Sequence, residues 1–145
     1  MSKVIAIDPG ISKCGVVLAD INERKVYEAL VIKSNLLLEY AQKKYQKEKN
    51  LQFLIGNGTS CKNYIKDLKL ISSNLIIAEE RNSTYRAKQR YFEIFPLLGI
   101  KCFLPREIFI LNKNLDALAA LIIMEDYFKI KFYDSEKINI KTWQK

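Results

Sequence analysis

A chain of 145 residues, 49% of them hydrophobic, suits one domain with a real core and excludes a disordered chain; no apolar run is long enough to span a bilayer. The absence of histidine excludes a Ser-His-Asp triad, a Cys-His dyad and every histidine-based metal site. The formal net charge of +8 favours a polyanionic partner, nucleic acid above all, although a lysine-rich composition alone gives the same sign.

The opening "MSKVIAID" is too short and too soon for a signal peptide, so a cytoplasmic protein with no membrane partner is expected. Ser2 to Asp8 reads as a strand, Lys13 to Asp20 as a second, "DINER" as a turn and Arg24 to Lys33 as a third strand. Ser34 is positioned to cap a helix running to about Asn50, with Leu37, Tyr40, Ala41 and Tyr45 on its apolar stripe. "LQFLIG" is a buried strand, "NGT" a turn, and Thr59 or Ser60 a cap for a helix with Cys61, Tyr64, Ile65, Leu68 and Ile71 on its apolar face. "NLIIAEE" is another buried strand. Ser83 caps a helix ending before Pro96, "IKCFLP" is a short extended piece, and Asn114 caps a final helix, "LDALAALIIMEDYF", apolar nearly all round and therefore buried.

This order predicts an α/β domain over residues 1–130: three antiparallel strands followed by parallel strands, in a mixed sheet with helices on both faces. Residues 131–145 form a charged tail in which Trp143 hints at docking. Cys14, Cys61 and Cys102 are odd in number with no C-x-x-C pair, which indicates neither a zinc site nor a disulfide framework.

Asp8 ends one buried strand, Glu79 and Glu80 end another, and Asp116 opens the last helix. Each has an ordinary reading: Asp before Pro-Gly is turn chemistry, a strand-end Glu reaches water, and Asp suits a first helical turn. Together they say more, because ligands of open α/β sheets bind beyond the carboxyl ends of parallel strands. Acids assembled there repel unless a cation neutralises them. With carboxylates alone, that cation is a hard ion, Mg²⁺ or Mn²⁺. Alternation puts Ala6 on the face of Asp8 and Ala78 on the face of Glu80, and Ala117, Ala119 and Ala120 let the last helix approach the sheet; this prefers Glu80 over Glu79 as a ligand.

Four blocks, "IAIDPGISKCGVV", "GNGT", "EERNST" and "LDALAA", give the chain from Val4 to about Phe128 a resemblance to a divergent branch of the YqgF/RuvX family, relatives of the Holliday-junction resolvase RuvC in the ribonuclease H-like superfamily. The resemblance implies a ribonuclease H-like fold, nuclease chemistry, and metal ligands at Asp8, Glu80 and Asp116, with Glu79 as a further candidate. RuvC relatives carry a fourth acid three residues before the last; here that position is Lys113, which points to a three-carboxylate site. Family relatives are linked to Holliday-junction cleavage and to maturation of a ribosomal RNA precursor, so either a DNA junction or structured RNA is the expected substrate, for a monomer or homodimer without a nucleotide cofactor.

Gly10 and Gly15 keep side chains clear so that a phosphodiester can approach, and Lys13 is placed to touch a phosphate. Asn57, Gly58 and Thr59 lie between a strand and a helix start, where backbone N–H groups hold an anion as readily as they make an ordinary turn. Arg81 follows Glu80, and Arg86 and Arg90, one helical turn apart, read as a rail for backbone phosphates. Two rivals stand beside this nuclease reading: an actin-like ATPase fragment, whose Asp-x-Gly hairpin holds phosphates, and a non-catalytic nucleic-acid-binding module of the same fold.

Overall fold

A computed structural model of the chain describes residues 3–80, 83–94, 99, 103, 105, 112–132 and 140–143. It contains strands β1 (Lys3–Asp8), β2 (Lys13–Asp20), β3 (Lys25–Lys33), β4 (Gln52–Gly56), β5 (Leu75–Ala78) and β6 (Ile140–Trp143), and helices α1 (Leu37–Lys47), α2 (Lys62–Ile71), α3 (Ser83–Ile94) and α4 (Asn112–Phe128). They form one sheet in the order β5-β4-β1-β2-β3-β6. The pairs β1–β2 and β2–β3 are antiparallel; β1–β4, β4–β5 and β3–β6 are parallel. The mixed α/β sheet expected from the sequence is therefore present, with β6 as an additional parallel edge strand drawn from the tail.

Alternation along the strands divides the core into two layers. Val4, Ala6, Val17, Ala19, Ala29, Val31, Leu54 and Ala78 face α3 and α4. Ile5, Ile7, Cys14, Val16, Leu30, Ile32, Phe53 and Ile55 face α1 and α2. Small residues dominate the first set and large ones the second, so α4 lies close to the sheet. Residues 117–124 of α4 are all buried, as its uniform apolarity predicts. The helix stops in a Schellman-type turn: Lys129 is left-handed at φ 56°, and the Ile130 N–H donates to Glu125 O at 3.1 Å.

Several helix starts differ from expectation. Ser34 opens a 3-10 turn (Ser34–Leu36) instead of capping α1; its hydroxyl donates to Ile11 O at 2.7 Å and its N–H to Ser12 O at 3.0 Å, pinning the loop after β1. No side chain caps α2, whose N-cap is Cys61 rather than Thr59 or Ser60. α4 starts at Asn112, so Asn114 lies inside it and Asp116 stands one turn in. The Ser83 cap and most of "IKCFLP" lie outside the described residues and side chains. In the "DINER" turn, Asp20 Oδ1 accepts from the N–H groups of Asn22 (2.9 Å) and Glu23 (3.0 Å). Among the described residues, Cys14 and Cys61 are buried free thiols, and no helix is long and apolar enough to cross a membrane.

Candidate metal centre

Asp8 is the last residue of β1 and stands opposite Gly15 of β2. Its even position puts it on the α4 face with Val4 and Ala6. Gly15 has no space for a Cβ, because the main-chain carbonyl of Asp116 fills it. The contact seats the first half of α4 on the sheet and brings Asp116 to the end of β1. Gly15 therefore admits the helix and not, as expected from the sequence, a phosphodiester. Gly10 serves a tight turn: a Cβ there would overlap the Lys13 carbonyl.

Glu80 lies just beyond the end of β5. Its N–H donates to Asn57 Oδ1 at 3.0 Å, and the Asn57 N–H donates to Ala78 O at 2.9 Å. Asn57 thus laces the ends of β4 and β5 together and aims Glu80. Its N–H is already given to Ala78 O, so Asn57 positions Glu80 in place of the expected phosphate contact. The cradle for the Glu80 carboxylate is made by two glycines: a Cβ on Gly56 would overlap Oε1, and one on Gly58 would lie 3.1 Å from Oε2. Thr59 is exposed in the turn that follows.

Three carboxylates from three separate segments therefore converge. Burial, then the charges of Glu80 and Asp116, and a hydrogen bond with Glu80 push the pKa of Asp8 up to about 7. Burial is also the main cause of the raised pKa of Cys14, to which Asp8 and Asp116 add. Glu80 Oε1 and Asp116 Oδ2 are buried and make no hydrogen bond. Lys13 Nζ is 2.7 Å from Asp116 Oδ2, an ion pair whose direction does not satisfy a hydrogen bond. Among the described residues, no three Asp, Glu, Cys or His side chains are already closed around one point. A proton on Asp8 and the Lys13 ammonium relieve the repulsion in this arrangement. The Glu80 oxygen left without a hydrogen bond in its glycine cradle, beside Asp8 and Asp116, nevertheless fits a hard, oxygen-loving divalent ion.

The other candidates are placed differently. Glu79 is exposed and lines a groove with Arg86 and Asp126 rather than joining Asp8. Arg86 is ion-paired with Asp126. Arg90 is not part of a phosphate rail. It is buried, donating to Glu125 Oε1 (2.9 Å), Phe132 O (2.6 Å) and Glu93 Oε2 (2.8 Å), and it locks α3 to the end of α4. Its helical spacing from Arg86 is real, but that stripe faces α4. Arg81 and the side chain of Lys113 lie outside the described residues and side chains.

One residue of the site went unnoticed in the sequence. Tyr64 of α2, read there as apolar, donates its hydroxyl to Gly10 O at 3.0 Å beneath the loop after Asp8. The available signal was chemical: a buried Tyr hydroxyl needs a partner. Burial pushes its pKa up to about 12.

No protein-family model matches the chain, and no curated protein matches it.

Proposed function

We propose that the chain is a Mg²⁺- or Mn²⁺-dependent nuclease with a ribonuclease H-like domain, hydrolysing phosphodiester bonds of structured nucleic acid. Holliday-junction-like DNA and ribosomal RNA precursors are the substrate classes that its resemblance to the YqgF/RuvX family implies. The observation that carries this reading is the convergence of Asp8, Glu80 and Asp116, with a buried oxygen on Glu80 that has no hydrogen-bond partner.

In this reading Asp8, Glu80 and Asp116 hold the ion. Bound Mg²⁺ or Mn²⁺ supplies Lewis-acid polarisation of a phosphoryl oxygen and a lowered pKa for water, so no histidine base is needed. Asp8 would have to give up its proton to serve as a ligand, which would make metal binding depend on pH. Lys13 and Lys33 are partners across β2 and β3 on the face of Asp8, and they set positive charge beside the acids where a phosphate backbone can lie. The net charge of +8 draws the polyanion in and makes binding salt-sensitive.

The test is a cleavage panel of four-way DNA junctions, single-stranded DNA and structured RNA with Mg²⁺ or Mn²⁺. Metal-dependent cleavage of at least one, abolished by EDTA, is the expected result. Binding without cleavage of any substrate with either ion overturns the enzyme in favour of a binding module.

A further inference from the structure

We infer that the Lys13 ammonium is a resident cation of the carboxylate cluster, so that the site takes one divalent ion rather than two. The inference rests on the proposed metal centre and settles how many ions it holds.

The position of Lys13 is fixed by the backbone. Lys13 opens β2 and follows a loop pinned by three hydrogen bonds from Ser34 and Tyr64. Ser34 Oγ donates to Ile11 O (2.7 Å), Ser34 N–H to Ser12 O (3.0 Å), and Tyr64 Oη to Gly10 O (3.0 Å). Gly10 permits this course because its missing Cβ makes room for the Lys13 carbonyl. Odd positions of β2, such as Val17 and Ala19, face α4, so the Lys13 side chain leaves the strand toward Asp116. Its Nζ reaches Asp116 Oδ2 at 2.7 Å.

The acids are thus unequally provided for. Asp116 has an ammonium at one oxygen, whereas Glu80 Oε1 is buried without a hydrogen-bond partner. Three ionised carboxylates and one ammonium leave two negative charges, which one divalent ion neutralises. A second divalent ion would leave the pocket positive and stand against the like charge of Lys13. Asp8 and Glu80, which have no ammonium beside them, would be the ion's main ligands, while Asp116 is already paired with Lys13.

Calorimetric titration of metal-free protein with Mn²⁺ tests this without reference to activity. The parent should bind one Mn²⁺ per chain. Lys13→Met, which keeps the stem and removes the charge, should take up a second Mn²⁺ or bind the first roughly tenfold tighter or more. Lys13→Arg should keep a single ion at near-parental affinity. Two Mn²⁺ ions in the parent, or identical isotherms for parent and Lys13→Met, overturn the role of Lys13 while leaving the metal centre standing. No Mn²⁺ binding by the parent overturns the centre itself and this inference with it.

Discussion

Gly15 has no side chain because the carbonyl of Asp116 occupies the place a Cβ would take. This contact couples helix packing to the site, since Asp8 is the cross-strand neighbour of Gly15. Gly15→Ala must push α4 off the sheet. Such overpacking costs about 1–3 kcal/mol, and here it also moves Asp116 from Asp8. Denaturant melts should show that loss, together with weaker Mn²⁺ binding; parental stability and affinity would contradict the packing described.

Arg90 is expected to act on stability rather than on nucleic-acid binding. It is buried against Glu125, and removing one partner of such a pair costs about 3–5 kcal/mol because the other charge is stranded. Arg90→Ala should therefore lower the melting temperature sharply. In the fraction that remains folded, the salt dependence of nucleic-acid affinity should be unchanged. A flatter salt slope with intact stability would restore Arg90 as a phosphate contact.

Asp8 predicts the pH response of the metal-free protein. Its pKa is raised to about 7 in the fold, so between the unfolded value of about 4 and 7 the folded state holds the extra proton. Its stabilising contribution is fully present below about pH 4 and is lost as pH rises through about 7. In EDTA, melting temperatures of the parent should fall from pH 5 to pH 8 relative to Asp8→Asn, and at pH 8 the variant should be the more stable protein. Added Mn²⁺ should reverse that order. Parallel pH profiles for the two proteins would show that Asp8 does not titrate as described.

The sequence made the sheet legible because its strands are short, apolar and bounded by turn residues. The convergence of Asp8, Glu80 and Asp116 was readable because each acid lies at or near the end of an apolar element, and Ala6 and Ala78 mark the shared face; β5, expected to be buried, is instead an edge strand with Ile77 47% exposed. Helix starts were less legible: Ser34, Thr59 and Asn114 are good capping residues by type, but Ser34 serves the loop after Asp8 and Asn114 lies within its helix. Arg90 misled because spacing along a helix does not say whether the neighbouring surface is water or α4. The strand Ile140–Trp143 was hidden in a charged tail too short to show its own periodicity, and only its partner β3 defines it.

The two neighbouring glutamates separate by side. Glu80 sits in the glycine cradle beside Asp8, whereas Glu79 is exposed in the groove with Arg86. Glu80→Gln should weaken Mn²⁺ binding by at least roughly tenfold, the loss of one charged ligand, and Glu79→Gln should leave it within about twofold. The opposite ranking in calorimetry would mean that the end of β5 is displaced by one residue.

The most direct test of the central claim is a time course of phosphodiester cleavage by the parent, Asp8→Asn, Glu80→Gln and Asp116→Asn, each with Mg²⁺, on whichever substrate of the panel the parent cuts. Each amide keeps shape and hydrogen bonding and removes the charge that a divalent ion needs. The account predicts near-complete loss of product in all three variants, with nucleic-acid binding retained or tightened because a negative charge near phosphate has gone. Cleavage by all three variants at the parental rate would contradict it.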